Sequence, residues 1–343
     1  MLRLHAPNRL SEPLPVELVA SNGDVFSPLP TPEAIREAVW VDLSYPTGNE
    51  RRAVEEALGL ELPTKADMAE IEASSRVYRE GHAQVMNLLL VVGVDSDTPA
   101  AVPVSLILTP TQLVTVRYTD PMAFRTLDIS CSRAVPGASP GRLFVRLMEN
   151  VVDRTADILE KMGGEIDSVS AQVFGLDRPK TLRLSTGDLQ TILRRIGSTQ
   201  FVLNKVHESL VTQLRAVSFL SIGQQEDENG NRAKTDKLMR ETLKSLTRDI
   251  QSLSENSHYL TQNVGFLLDA ALGRISIEQN AIVKIFSVAA VIFLPPTLVA
   301  SIYGMNFAHM PELELHFGYP MAIGMMILSA VLPYLWFKKK GWL

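Results

Sequence analysis

A single cysteine, Cys131, occurs in the 343 residues, so no disulfide can close within one chain, and the sequence fits a reducing compartment. A basic excess is also missing. Against 33 Lys and Arg stand 38 Asp and Glu, a formal net charge of −5, which argues against nucleic acid as a partner. At the N-terminus no basic stretch precedes an apolar run, so no secretory signal is expected. The six histidines are scattered, and none sits in an HExxH pattern or beside cysteine at zinc spacing. No GxSxG, P-loop or dinucleotide fingerprint is present, so an enzyme is not expected. Charge itself is absent from two long stretches: residues 285–311 and 317–337 contain no Asp, Glu, Lys or Arg.

Each uncharged stretch is long enough to cross a hydrocarbon layer of roughly 30 Å, which takes a helix of about 20 residues. Two spans are therefore expected, 281–303 and 317–337, joined by a loop at 304–316 and followed by a basic tail at 338–343. Lys338, Lys339 and Lys340 after the second span, and Lys284 at the start of the first, mark one side as cytoplasmic. Both termini are then inside and the loop outside. Along the first span one line at heptad spacing reads Asn280, Val283, Ser287, Ala290, Leu294, Thr297, Ser301, whereas Ile285, Val288, Ile292, Phe293, Leu298 and Val299 occupy the other faces. In lipid such small and polar groups find partners either in helix packing or in the water of a pore. Pro295 and Pro296 free the carbonyls of Val291 and Ile292, and a pore-facing position would let water satisfy them.

Upstream, residues 1–135 alternate short Val-, Leu- and Ile-rich runs (16–20, 38–43, 85–94, 102–108, 113–118) with breakers and two helical pieces, 50–58 and 65–73. An α/β or α+β domain is expected. Within the second helical piece Asp67 and Glu70 are three apart, which on a helix puts two carboxylates on one face. The Pro/Gly cluster at 136–141 marks a boundary. From 142 to 280 only helical periodicity remains, predicting a hairpin and then a third helix with a four-three seam from Met239 through Leu246, Ile250 and Leu260 to Ala271. Unbroken from about residue 234 to Tyr303, that helix would be a rod of roughly 100 Å. Asp249 and Asp269 lie along it.

At the end of the first span stands Tyr303-Gly304-Met305-Asn306. Met310-Pro311-Glu312-Leu313, Phe317-Gly318-Tyr319-Pro320 and Lys338-Lys339-Lys340-Gly341-Trp342-Leu343 follow it in order. This series resembles the signature of the CorA magnesium-transport family. The resemblance extends upstream through Ile277-Glu278-Gln279-Asn280 and Phe293-Leu294-Pro295-Pro296-Thr297, and more loosely through Glu70-Ile71-Glu72-Ala73-Ser74 to Trp40-Val41-Asp42-Leu43.

The resemblance implies a homopentameric channel in a bacterial inner membrane, with a cytoplasmic funnel that senses the ion. It further implies a filter of Gly304, Met305 and Asn306, a pore lined by the heptad stripe, and a regulatory ion held between subunits at Glu70. Asp67 and Asp249 would be further ligands, and Asp269 would stand in an acidic ring. Mg²⁺ sheds water reluctantly, so an amide and backbone carbonyls suit it by binding its hydration shell. Glu312 and Glu314 would concentrate cations at the outer mouth, while Ala308 replaces an acid found in many relatives. Expected cargoes are Mg²⁺, Co²⁺ and Ni²⁺, with Mg²⁺ also the regulatory ion and no organic cofactor. Two alternatives stand beside this reading: a proton-coupled zinc transporter of the same architecture, and a non-conducting, membrane-tethered coiled-coil scaffold.

Overall fold

The computed structural model describes residues 1–5, 18–19, 25–26, 29–70, 72, 76–96, 98–132, 139–176, 185–223, 233–305 and 316–341. The chain divides into two compact units. Met1–Arg183 with Gln190–Leu267 form the first, and Leu184–Leu189 with Leu268–Leu343 the second.

The first unit opens with a mixed sheet of six strands in the order β1-β4-β8-β7-β6-β5. These are β1 (Leu2–His5), β4 (Trp40–Ser44), β8 (Leu113–Arg117), β7 (Ala100–Leu108), β6 (Ala83–Val92) and β5 (Val77–Glu80). Only β4 and β8 run parallel. A separate two-stranded piece pairs β2 (Leu18–Val19) with β3 (Val25–Phe26). One sheet face carries Val41, Leu43, Val85, Ile107, Val114 and Val116, which pack with Ile35, Val54 and Met68 of three short helices, α1 (Pro32–Glu37), α2 (Gly48–Leu58) and α3 (Lys65–Ala69). A capping box, Thr47 with Glu50, starts α2, and Gly59 ends it at a left-handed φ of 65°.

The parallel pair is tied by a buried polar chain. Trp40 Nε1 donates to Thr115 Oγ1 (3.1 Å), which donates to Asp42 Oδ1 (2.7 Å), and Arg117 Nη2 donates to Asp42 Oδ2 (2.9 Å). Burial opposes the charge on Arg117, but the hydrogen bonds and charge of Asp42 hold its guanidinium above its usual value. Asp42, in the loosely family-like segment at 40–43, is thus an internal ion-pair partner of the sheet.

On from the sheet run α4 (Met122–Ser132), α5 (Pro140–Phe174), α6 (Thr186–Gly223) and α7 (Ala233–Tyr303). Ser139 caps α5 with Pro140 at its first turn, and Gly175 closes it at φ 68°. Arg195 of α6 reaches Glu165 of α5 at 2.6 Å and Ser168 at 3.0 Å. Leu243, Leu246, Ile250, Leu260, Val264 and Leu267 of α7 are buried, as the four-three seam predicts.

One expectation is corrected. The helix read over 65–73 ends at Ala69, because Glu70 takes an extended ψ of 140° as its C-cap; Asp67 and Glu70 therefore do not share a helix face. Of the strand read over 16–20, Leu18 and Val19 are described and form β2, and the rest lies outside the described residues. The expected turn near 177–179 and the loop at 224–231 lie outside the described residues.

Candidate ion path and carboxylate sites

In the second unit, α7 from Leu268 onward is joined by α8 (Gly318–Lys339). Both are long and apolar enough to cross a membrane, and little of either apolar stretch is buried. Lys284 Nζ donates to the carbonyl of Gly341 at 3.4 Å, which fixes one end of the antiparallel pair. Four residues inward along each helix, Val288 and Phe337 are 4% and 6% exposed.

Along α7 from residue 281 the covered or half-covered residues are Ala281, Lys284, Val288, Ala289, Ile292, Pro295, Pro296, Val299 and Tyr303. At about 100° per residue these fall in one arc. The stripe Asn280, Val283, Ser287, Ala290, Leu294, Thr297, Ser301 is exposed at every position, and its centre lies about 150° round the helix from that arc. The helix therefore has a face covered by its own chain and, nearly opposite, a small and polar face left open. Pro295 and Pro296 are half-buried and belong to the covered arc, not to the stripe, and α7 remains helical through both.

The hydroxyl of Thr297 donates to the carbonyl of Phe293 at 2.7 Å, so its proton is used within the helix and its lone pairs stay free to accept. At Tyr303 the helix ends. Gly304 N–H donates to Ala300 O at 2.9 Å, and Met305 N–H to Ile302 O at 3.2 Å. A Cβ at Gly304 would meet the Ala300 carbonyl oxygen at 3.1 Å, so this turn favours glycine. Met305 is 47% exposed. Asn306, Glu312 and Glu314 lie outside the described residues.

Of the four carboxylates singled out from sequence, Asp67, Glu70 and Asp249 belong to the first unit and Asp269 to the second. Asp67 is engaged locally: it accepts from Thr64 N–H at 2.7 Å in a capping box. That backbone bond, with the Thr64 side chain, holds its carboxyl below the usual range. Glu70 is exposed at the end of α3. Asp249 lines a shallow groove of about 330 Å³ with Glu149 and Glu241. Burial, with the Asp153 charge beside it, pushes the Glu149 carboxyl up. The sequence reading missed Glu149 and Glu241, since only packing of α5 on α7 brings residues some hundred positions apart onto one groove. Asp269 is exposed and belongs to the second unit. Among the described residues no three His, Cys, Asp or Glu side chains come together to hold a metal ion.

Residues 36–339 match the family model described as CorA-like Mg²⁺ transporter protein. The chain belongs to the CorA family. It is 35% identical over 310 residues to the magnesium transport protein CorA of Pasteurella multocida, covering 90% of this chain and 93% of the relative. The CorA of Salmonella typhimurium is 34% identical over 313 residues, 91% and 94% of the two chains. The complete structure of the CorA magnesium transporter from Methanocaldococcus jannaschii shares the fold. Its TM-score is 0.69 at 18% identity, over 90% of this chain and 92% of that one. The CorA assignment makes this a membrane protein of Mg²⁺ transport, not an enzyme.

Proposed function

We propose that five copies of the chain surround a water-filled axis lined by the stripe from Asn280 to Ser301 and conduct Mg²⁺, with Co²⁺ and Ni²⁺ as further cargoes. The open polar face of α7, nearly opposite the face its own chain covers, carries this reading. Hydroxyl and amide groups left exposed at membrane depth need partners, and a shared aqueous axis supplies them. Gly304, Met305 and Asn306 form the filter, where the Asn306 amide binds the hydration shell of the ion, and Glu312 and Glu314 draw cations to the mouth. Lys284 lies beside Gly341 and hence at the end of the pair where Lys338, Lys339 and Lys340 sit, which supports that end as cytoplasmic and both termini as inside. The membrane is then the bacterial inner membrane.

Inward flow needs no nucleotide, since a double positive charge gains roughly 4.6 kcal/mol per 100 mV of inside-negative potential. Cytoplasmic Mg²⁺ closes the channel by joining carboxylates of neighbouring copies, drawn from Asp67, Glu70, Asp249 and Asp269. That no three acids come together to hold a metal ion among the described residues supports a site shared between copies.

The test is flux into liposomes holding the purified protein, with Mg²⁺, Co²⁺, Ni²⁺ and Zn²⁺ offered separately under an imposed potential, with and without a proton gradient. Mg²⁺ entry that follows the potential and ignores the proton gradient is expected. Entry of Zn²⁺ alone, and only with protons, would replace this reading by the zinc carrier; no entry at all would leave the scaffold.

A further inference from the structure

The end of α8 carries three adjacent cations and no acid of its own. Residues 315–343 contain no Asp or Glu, and Lys338, Lys339 and Lys340 are all exposed. Adjacent ammonium groups repel one another, which favours a counter-ion at this end.

The open faces of α8 here are defined by what is covered. Phe337 is 6% exposed, its ring meets that of Trp336 edge-on at 5.1 Å, and Lys284 Nζ of α7 donates to the carbonyl of Gly341 at 3.4 Å. The end of α8 is thus held on α7. Trp336 is 52% exposed, and Lys340 Nζ lies over its ring at 4.6 Å, where the π face attracts the cation. Leu328, Leu332 and Leu335 are exposed as well. At about 100° per residue these three leucines, Trp336 and Lys339 fall within one arc of roughly 100°, with Lys340 close to its edge and Lys338 about 160° round the helix from Trp336. From Leu328 to Lys339 the helix rises about 16 Å, close to half of a hydrocarbon layer roughly 30 Å thick.

We propose that this arc binds one anionic glycerophospholipid, with the phosphodiester at Lys339 and Lys340 and an acyl chain along Leu335, Leu332 and Leu328. Cation, aromatic ring and aliphatic side chains follow one another over the depth of one leaflet, in the order of the parts of such a lipid. A free phosphate has no use for the leucines. An ammonium is a compact charge with three rotatable donors, which suits a headgroup that moves in a fluid layer.

The full-length Trp342→Phe protein keeps Trp336 and the buried Trp40 as its tryptophans. It is reconstituted into phosphatidylcholine vesicles holding a minor share of phosphatidylglycerol, with bromine on the acyl chains of one lipid or the other at equal mole fraction. Bromine quenches Trp336 by contact, so the two series give the relative binding constant of the lipids without any reading of transport. Phosphatidylglycerol should bind roughly 25-fold more tightly than phosphatidylcholine, a factor of about five for each of two lysines. Lys339→Gln and Lys340→Gln should each lower that preference about fivefold, and Lys338→Gln by less than about twofold. Equal quenching by both lipids overturns the proposal, and so does an equal loss from all three variants, the mark of a diffuse field. Quenching by neither lipid also overturns it, since protein, such as a helix of another copy, would then cover the arc. Removal of the preference by inorganic phosphate at constant ionic strength would leave a free-anion site and is likewise contrary. Should a variant fail to reconstitute, the wild type in rising NaCl decides: the preference should fall as the charges are screened, and one unmoved by salt contradicts the proposal.

Discussion

Two kinds of residue matter here, those whose chemistry meets the ion and those that hold the backbone which presents them. Gly304 belongs to the second kind, since a side chain there would press on the Ala300 carbonyl at the turn that ends α7. Asn306 belongs to the first in the proposed filter. Its amide both donates and accepts, so Asn306→Ala removes the partner of the water around the ion. Mg²⁺ uptake into liposomes should fall to background while expression and assembly persist; near-normal uptake would remove Asn306 from the filter. Asp42 belongs to the second kind as well. Its carboxylate accepts from Thr115 and Arg117 inside the sheet.

The elements differ in how far the sequence revealed them. The helices α5, α6 and α7 were legible because their apolar spacing persists for many turns, and β4, β6, β7 and β8 because their apolar runs are bounded by breakers. The strands β1 and β5 were not, being short edge strands whose four residues carry polar side chains among the apolar ones. The end of α3 was misplaced because Glu70 and Glu72 continue a helical composition after the backbone has turned extended. Within α5 and α6, the hydrogen bond from Arg195, with burial opposing it, keeps the Glu165 carboxyl below its usual range. A carboxyl depressed by folding contributes stability above its unfolded pKa, here about 4.5, and loses that contribution as pH falls through the folded value. Thermal unfolding should therefore show an acid-side drop below about pH 4.5 that is shallower in Glu165→Gln; identical profiles would mean the pair adds nothing. In α7, Leu294 is the bulkiest aliphatic group of the stripe and 66% exposed. A ring of such side chains can close a narrow path by dewetting. Leu294→Asn should leak Mg²⁺ even when internal Mg²⁺ is high, whereas a silent variant would move the gate to Asn280 or Val283.

For the whole molecule, the acids proposed to sense Mg²⁺ lie in α3, just after it and in α7, and among the described residues no three acids come together to hold a metal ion. Bare carboxylates brought together between copies repel, and an ion between them offsets the repulsion. Replacing Asp67, Glu70 and Asp249 together by Lys should abolish the Mg²⁺-dependent protection of the wild-type protein from proteolysis; unchanged protection would place the sensor on other acids. The central claim is that the open face of α7 lines the ion path, and the single cysteine makes a direct measurement practical. In a Cys131→Ala background, cysteines are placed one at a time at positions 283, 287, 290, 294, 297 and 301, at 288, 292 and 299, and at the apolar exposed positions 286 and 293. Mg²⁺ uptake is then measured before and after a charged, membrane-impermeant thiol reagent. The account predicts block at the stripe positions, slowed by Mg²⁺, and none at the covered or apolar positions. Block confined to 288, 292 and 299, or spread equally over every face, would contradict it.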